Sequence, residues 1–346
     1  MKKFFKSIKF IALCAMSAAV VLGGCNKDEE EEETLLTLDG SPYFYLPSYA
    51  MTGDTLELTA SGVATKGATY EWIYGGLDSL YESDDLLTVK VVVPDSLATY
   101  QVTLSADAGD EYYSSSLVQL ITSLNESSLT GVKEPQGHFT DPRDNRTYGF
   151  VTVGNLDWFA ENLKWKGAGA GYGKTDAAGE IMGRLYTWND ATGGVSASGL
   201  GCGVQGVCPP GWSIPTQEDW VDLAMAVNGG VEVSFLDDWK GMAPLLMAPA
   251  ELNGAVLWPY SPDVTPTNDY GWNAISAGTS NNNYNNYSNM YSYGMWWCST
   301  EKDSNYAHFK YIYSEYPNVS VNYSSKDGIG VAVRCVRLSG AGTQEL

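Results

Sequence analysis

Residues that could carry out catalytic chemistry are few in this chain of 346 residues. His138 and His308 are the only histidines, and they are too far apart in sequence to form a recognisable zinc-binding motif. The chain has no nucleophile elbow, no phosphate-binding glycine loop and no metalloprotease helix. The glycines of residues 167–171 follow no clear strand, which argues against a dinucleotide site. We therefore expect a protein without enzymatic activity.

The cysteines indicate covalent modification instead of catalysis, and the first cysteine that does so lies near the N-terminus. Basic residues up to Lys9 precede an apolar run, residues 10–22, that is too short to span a bilayer but suits a secretory signal. The sequence Leu22-Gly23-Gly24-Cys25 then resembles a lipobox, in which the cysteine is acylated, for example with palmitate. We predict a signal peptide at residues 1–24 and a lipid anchor on Cys25.

Acidic residues follow the predicted anchor at Asp28 and from Glu29 to Glu33. Like charges repel one another and stay solvated, so residues 25–34 are predicted to be a flexible tether. Their position resembles the surface-export signal of Bacteroidota lipoproteins, which implies display on the outer face of the outer membrane. Removal of residues 1–24 takes four lysines from a chain of net charge −21, which leaves −25. We expect such a polyanion to bind no nucleic acid and to meet the membrane only through its lipid.

Residues 35–125 contain no cysteine and alternate β-rich runs with turn residues. The alternation is clearest where Tyr100, Val102 and Leu104 share one face of a strand. Short strands at this spacing favour a β-sandwich. The segment around Trp72 resembles the third strand of immunoglobulin-like or PKD-type modules, so we predict that Trp72 packs in a core. The candidate strands are residues 42–46, 55–60, 69–74, 87–93, 99–106 and 115–122.

Residues 126–137 are predicted to be a linker, and the motifs that follow it resemble a known family. They include GRLYTWN, GVQGVCPPGWSIPT, NDYGWNA, WCSTE and VRCV, and the seven segments are residues 139–148, 151–163, 183–189, 203–216, 268–274, 297–301 and 333–336. In this order and spacing they resemble the Fibrobacter succinogenes major paralogous domain of Bacteroidota lipoproteins. The resemblance covers residues 138–338 and leaves a tail at 339–346. It implies a fold similar to C-type lectins and to formylglycine-generating enzymes.

The expected fold class therefore has two parts. An N-terminal all-β, immunoglobulin- or PKD-like sandwich should be followed by a C-terminal α+β domain of the C-type-lectin-like kind, stabilised by disulfides. Within that domain Thr216 is predicted to cap a helix whose apolar residues lie between 220 and 227. Near the end of the chain, strand alternation places Cys335 on the inward face and Arg334 on the other.

Four cysteines follow Cys25, and an even number in an exported protein indicates disulfides in one of three pairings. The family resemblance favours one of them. The positions of Cys208 and Cys335 match cysteines that are common in the family, whereas those of Cys202 and Cys298 are more often small polar residues. We therefore predict the pairs Cys208–Cys335 and Cys202–Cys298.

Tyrosine and asparagine are concentrated between Asn281 and Tyr323, which hold nine of the 23 tyrosines. These residue types make rigid amphipathic contact surfaces, and aromatic faces suit sugar rings. A second interpretation is that the tyrosines fill a β core and the asparagines only make turns. We expect the loop 281–293 to be exposed, and Phe309 and Tyr311 to be core. The candidate ligand-binding residues are Tyr284, Tyr287, Tyr291, Tyr293, Asn283 and Asn286.

Two functions are compatible with these features. The first is a surface-exposed, lipid-anchored binding or adhesion protein that presents an aromatic- and asparagine-rich face to a glycan or to a host or bacterial surface protein. The alternative is a non-catalytic structural or assembly lipoprotein of the cell envelope. No cofactor is expected, although the lectin-like resemblance leaves calcium at Asp263 and Asp269 as an alternative.

Overall fold

The structure is a computed structural model that describes residues 34–281 and 283–340. The predicted signal peptide and the predicted lipidation site, Cys25, lie outside the described residues. Strands account for 40% of the described residues and helices for 10%. None of the helices in the described part of the chain has the length and apolar character needed to span a bilayer.

The N-terminal module consists of strands only. Its central sheet has the order β2-β9-β8-β5, a second sheet has the order β3-β7-β6, and β1 pairs with β4. Between the two larger sheets lies an apolar core that includes Trp72, Val102 and Leu104, so the predicted burial of Trp72 is confirmed. The strands are β1 Gly40–Tyr43, β2 Tyr49–Met51, β3 Thr55–Thr59, β4 Ser61–Val63, β5 Thr69–Ile73, β6 Asp78–Glu82, β7 Thr88–Val92, β8 Thr99–Asp107 and β9 Ser115–Leu124.

The rest of the chain, here called the head, contains four small sheets. Their orders are β10-β14-β15, β11-β12-β13-β22, β17-β16-β21 and β18-β19-β20. The strands are β10 Leu129–Thr130, β11 Gly137–Thr140, β12 Thr147–Val153, β13 Leu156–Phe159, β14 Glu251–Leu252, β15 Ala255–Val256, β16 Ala277–Asn281, β17 Asn286–Met290, β18 Tyr293–Glu301, β19 Tyr306–Tyr313, β20 Val319–Ser325, β21 Ile329–Gly330 and β22 Val336–Leu338.

Four short α-helices lie among these strands: α1 Asp176–Met182, α2 Trp188–Thr192, α3 Gln217–Val227 and α4 Ala243–Leu246. The third is the helix that the sequence predicted. Its cap, Thr216, accepts a hydrogen bond from the backbone of Asp219, and the Asp219 carboxylate accepts one from the Thr216 backbone. The apolar residues that the pattern places on one face, Trp220, Leu223, Ala224 and Val227, are buried, as the sequence predicted.

The expected α+β domain of the C-type-lectin-like kind is wrong, because the head is mostly β. Only α3 exceeds seven residues, and α4 is reduced to the four residues Ala243–Leu246. Glycines and prolines divide the remaining sequence into segments too short for long helices, since both residues disfavour a helix interior. The segments that carry the family motifs therefore form many short strand pairs instead of a mixed α+β layer.

Two apolar cores fill the head on opposite sides of the extended segment 331–336. Alternate residues of this segment serve one core or the other, as the side-chain period of two requires. The tryptophan core, on one side, includes Trp158, Trp220, Trp239, Trp258, Trp272 and Trp296. The disulfide core, on the other, includes Cys208, Cys335, Tyr186, Trp188, Trp212 and Trp297.

Arg334 lies opposite Cys335, as predicted, but its side chain is fully buried rather than solvated. The guanidinium donates to the carbonyls of Phe159 (3.2 Å), Trp272 and Asn273 (2.6 Å), and to Asn162 Oδ1 (3.1 Å). It also lies 4.1 Å from the centre of the Trp272 ring. Burial lowers the pKa of Arg334 to about 9. The buried Arg334 side chain thus supplies hydrogen-bond donors to three backbone carbonyl groups in the interior of the head.

The predicted disulfide between Cys208 and Cys335 is present, with Cα atoms 5.8 Å apart and a sequence separation of 127 positions. The predicted pair Cys202–Cys298 is wrong, because both thiols are free. Cys298 points from β18 into the tryptophan core, whereas Cys202 lies exposed on a loop. A fully buried cysteine packs as a small apolar residue, so an even cysteine count need not mean that every thiol is paired.

Contacts join the N-terminal module to the head. Leu124 of β9 packs in a shared apolar cluster with Ala178 of α1, and Asn253 donates an amide hydrogen bond to the Ser123 carbonyl (2.8 Å). The segment predicted as a linker contributes β10, which pairs Leu129 with Leu252 of β14. This segment is therefore part of the ordered contact between the two regions.

Candidate ligand-binding groove

A three-stranded antiparallel sheet of the head, β18-β19-β20, brings several half-buried aromatic side chains together on one face. Tyr293 of β18 lies opposite Tyr313 of β19, and Met295 lies opposite Tyr311. Because alternate residues of a strand point to the same face, these four side chains form a two-by-two array on one face of the sheet. Asn322 of β20 extends the same face, since its strand partner is Phe309.

The array forms one wall of a groove of about 320 Å³, here called the aromatic groove. The Tyr293 and Tyr313 rings are stacked with centres 4.6 Å apart and planes 18° apart. The ring centres of Tyr311 and Tyr293 are 6.1 Å apart, and those of Tyr316 and Tyr313 are 5.3 Å apart. Tyr316 is 61% exposed. The residues that line the groove are Asn289, Tyr293, Met295, Phe309, Tyr311 and Asn322.

The groove exists because this face of the sheet is only partly covered. Toward one end Trp297 and Ala307 are fully buried in the disulfide core. Toward the other end Tyr293 and Tyr311 remain half-buried and line the groove. Burial still raises the pKa of Tyr293 above its ordinary value, so the phenol is neutral at physiological pH. The rings are held in place by core packing and are open to a ligand on one side.

Two asparagines supply the polar groups of the aromatic groove. Asn289 donates from its side-chain amide to the Thr279 hydroxyl (3.0 Å), which fixes the orientation of that amide. Asn322 is exposed on β20 and lies on the opposite wall from Asn289. No charged side chain lines the groove. A neutral ligand with flat apolar faces and hydroxyl or amide groups matches this lining.

Of the predicted ligand-binding residues, the structure places only Tyr293 in the aromatic groove. The Tyr284 hydroxyl accepts a hydrogen bond from the backbone of Thr187 (2.7 Å) and bonds to the Asp190 carboxylate, so it anchors α2. Tyr287 packs on Tyr172, with ring centres 5.4 Å apart.

Three other predicted residues also lie away from the groove. Tyr291 is half-buried beside Tyr49 of the N-terminal module. Asn283 and Asn286 are exposed on the hairpin between β16 and β17, where Asn286 pairs with Asn281. The loop of residues 281–293 therefore contains exposed positions, as expected, but it does not form a single face.

The residues that the sequence missed are Met295, Tyr311, Phe309, Asn289 and Asn322. We expected Phe309 and Tyr311 to be core; Phe309 is buried at the floor of the groove, and Tyr311 is half-buried in its wall. Both residues lie on the same face of β19, as alternate residues of a strand do. What this alternation could not identify was the point along the strand where the covering core ends.

The calcium alternative gains no support from the geometry. Asp263 and Asp269 are both exposed, and the adjacent Asn268 uses its side chain to bond Asn273. In the part of the chain that the structure describes, no three His, Cys, Asp or Glu side chains are grouped so as to hold a metal ion.

Comparison with known families identifies the head. A family model described as the Fibrobacter succinogenes major domain matches residues 151–337, which is more than half of the chain. The chain belongs to this family. The family prediction is therefore confirmed, whereas the implied likeness to C-type lectins and formylglycine-generating enzymes is not supported.

More distant comparisons add little to this family assignment. Among curated proteins, none matches the chain. Among solved structures, a Quinonprotein alcohol dehydrogenase-like protein from Bacteroides thetaiotaomicron matches with 17% sequence identity and a TM-score of 0.17. The match covers 32% of this chain and 21% of that one. A similarity this weak says nothing about the fold or function of the family member described here.

Proposed function

We propose that this member of the Fibrobacter succinogenes major domain family is a lipid-anchored binding protein of the cell surface whose head holds a glycan in the aromatic groove. The observation that supports this proposal is the array of Tyr293, Tyr311 and Tyr313 on a half-covered sheet face. Binding surfaces commonly use tyrosine because it offers a large amphipathic contact area with few rotatable bonds. Rings that the core already holds in position lose little entropy when a ligand packs on them.

The lining of the groove favours a neutral glycan over a charged ligand. Sugar rings present apolar C–H faces that pack on tyrosine, and hydroxyl edges that pair with amides such as those of Asn289 and Asn322. The volume of about 320 Å³ accommodates one or two sugar residues, with the rest of a longer chain continuing across Tyr316.

Glycan-array screening followed by calorimetry tests this proposal. We expect Tyr311→Ala and Tyr293→Ala to weaken binding of the best glycan at least tenfold, because each removes a ring from the groove wall. Tyr323→Ala is the matched control. Tyr323 is 48% exposed on the other face of the same sheet, where it packs against His308 and Tyr306 instead of lining the groove. Equal affinity in all three variants, or no glycan bound by the unaltered protein, would contradict the proposal.

The membrane anchor is proposed from the sequence around Cys25. The basic and apolar residues 1–22, the small residues before Cys25 and the acidic residues after it support export, acylation and surface display. Metabolic labelling with a palmitate analogue should mark the wild-type chain but not Cys25→Ala, and protease added to intact cells should cleave the head. A labelled Cys25→Ala protein would refute the anchor, and full protection from protease would refute surface display.

A further inference from the structure

A second concave site lies between the N-terminal module and the head. Its volume is about 500 Å³. One wall is the segment that follows β9 and contains Leu129 and Lys133, and another is the β11–β12 hairpin with His138. Met182 of α1 and Met51 of β2 complete the site, so both regions of the chain contribute to it. Clefts between domains are common positions for ligand sites, and this volume falls within their usual range.

The charges that line this interdomain cleft differ from those of the whole chain. The protein has 41 acidic residues against 20 lysines and arginines, so about two acids per cation would be expected on an average surface. Apart from Arg334, which is buried beneath the floor, the cleft is lined by three cations and three acids: Lys133, Arg146 and Lys164 against Glu126, Glu161 and Glu180. A cleft that collects cations in a polyanion selects for negative ligands, because clefts with low-dielectric walls focus the field of their charges.

Ion pairs within the protein neutralise some of the cations of the cleft but not all of them. Glu161 pairs with Lys164 (2.6 Å), and Glu180 pairs with both Arg146 and Lys166. Arg334 lies closed off beneath the floor. Among residues 34–281 and 283–340, neither Arg334 nor Lys133 forms an ion pair with a carboxylate.

A buried donor in the wall of the interdomain cleft also lacks a partner. The Nε atom of Arg146 is buried without a hydrogen bond, and an Asp144 carboxylate oxygen lies 3.9 Å from it, which is too far for one. An unpaired buried donor on a charged group is unfavourable, so an acceptor at this position would be stabilising. Lys133 and the Nε of Arg146 therefore remain as donors for an anion in the cleft, while the Nη2 of Arg146 pairs with Glu180.

Apolar side chains line the rest of the interdomain cleft. Leu129, Val132, Ile181 and Ile275 offer surface for a hydrocarbon or sugar body. We infer that the interdomain cleft binds a small organic carboxylate, whose carboxyl group meets Lys133 and Arg146 and whose body packs on these apolar residues. This site is independent of the aromatic groove, which has no charged lining.

Matched pairs of probes test this inference on the folded protein without its signal peptide. Glucuronate and glucose differ only in the carboxylate, as do N-acetyl-leucine and N-acetyl-leucine amide. Calorimetry at constant ionic strength should show that at least one acid binds at least tenfold more tightly than its neutral twin. Preference for the first pair would indicate a sugar acid, and preference for the second would indicate a peptide-like carboxylate. Equal binding of both acids and their neutral twins would overturn the inference.

Charge-removing variants locate the site. Lys133→Met should weaken binding of the preferred acid at least tenfold, because it removes the only unpaired ammonium of the cleft while keeping the backbone bonds of Lys133 to Asn273. Lys240→Met removes an equally exposed lysine elsewhere and should leave affinity within twofold. Arg146→Gln should also weaken binding. Unchanged affinity in both Lys133→Met and Arg146→Gln would refute the assignment, since thermal unfolding can show that these variants remain folded.

Discussion

The N-terminal module and the head are both built mainly from short antiparallel strands, but their cores use polar groups differently. The core of the module contains apolar side chains such as Val102, Leu104 and Trp72, which alternate with more exposed residues along β8, and no charged side chain of residues 35–125 is buried. The head buries the charged side chains of Arg334 and Lys310 and closes one core with a disulfide.

The difference follows from how the backbone is satisfied in each region. Two facing sheets satisfy their own amide and carbonyl groups through strand pairing, so a sandwich core needs no buried cation. The head buries irregular segments between its small sheets, and carbonyls such as those of Trp272 and Asn273 receive hydrogen bonds from Arg334 instead. Long donor side chains therefore replace strand pairing where the sheets end.

Removal of Arg334 should have the largest effect on stability. Arg334→Met removes four buried hydrogen bonds and leaves the Phe159, Trp272 and Asn273 carbonyls without this donor, whereas Asn162 Oδ1 still accepts from Trp296. At roughly 1.5 kcal/mol for each hydrogen bond to a charged group, the loss is about 6 kcal/mol. Arg334→Lys keeps the charge but cannot reach all four acceptors, so it should be intermediate. Urea unfolding followed by tryptophan fluorescence would measure this, since ten of the eleven tryptophans lie after residue 150. A stable Arg334→Met head would show that its core, like that of the module, depends on apolar packing alone.

Loss of the disulfide should rank second. The bond between Cys208 and Cys335 closes a loop of 127 residues, for which the chain-entropy model gives about 4–5 kcal/mol. We expect the double variant Cys208→Ala/Cys335→Ala to unfold at lower urea concentration by that amount. Cys202→Ser serves as its control because it removes a thiol and no bond. A difference below about 1 kcal/mol between the double variant and wild type would mean that the cores hold the loop closed without the bond.

The same contrast explains which parts of the structure could be predicted from sequence. The β8 strand and the α3 helix depend on local patterns: alternation in Tyr100, Val102 and Leu104, and a capping residue at Thr216. Local patterns specify which face of an element is apolar. They do not specify which other element covers that face.

The features of the head that the sequence did not predict all depend on which distant element covers a given face. Alternation placed Arg334 opposite Cys335, but whether solvent or a tryptophan core lies there depends on residues more than 60 positions away. The aromatic groove depends on the register that sets Tyr293 beside Tyr313, and on the partial exposure of that pair. The predicted pairing of Cys298 was wrong for the same reason, because Cys298 packs in a core made of residues that are distant in sequence.

The third largest effect should be a pH dependence of the free energy of unfolding that comes from Lys310. Lys310 is fully buried, lies 3.5 Å from the Trp239 ring centre, and donates to the carbonyls of Phe235 (2.6 Å) and Asp237 (3.4 Å). Burial lowers its pKa from 10.5 to about 7. Between pH 7 and 10.5 the unfolded chain therefore holds a proton that the folded chain has lost, so stability rises with pH across this range.

The variant Lys310→Met isolates this effect from other titrating groups. At about 1.4 kcal/mol per pH unit, the stability of the wild type relative to Lys310→Met should increase by about 2 kcal/mol between pH 7 and pH 9. Urea unfolding of both proteins at four pH values would measure it. Parallel stability curves for the two proteins would mean that Lys310 keeps its proton when buried.

The two free thiols should give the smallest effects and the sharpest test of the cysteine assignment. Cys202 is exposed, so Cys202→Ser should change stability by less than about 0.5 kcal/mol. Cys298 is fully buried among apolar groups and burial raises its pKa to about 12, so Cys298→Ser places a hydroxyl in the tryptophan core at a cost of about 1–2 kcal/mol. In the folded protein a thiol reagent should modify Cys202 alone, and Cys298 should react only in denaturant. If the two cysteines were instead bonded, neither would react until reduced and both single variants would lose the same stability, because each would remove the same bond.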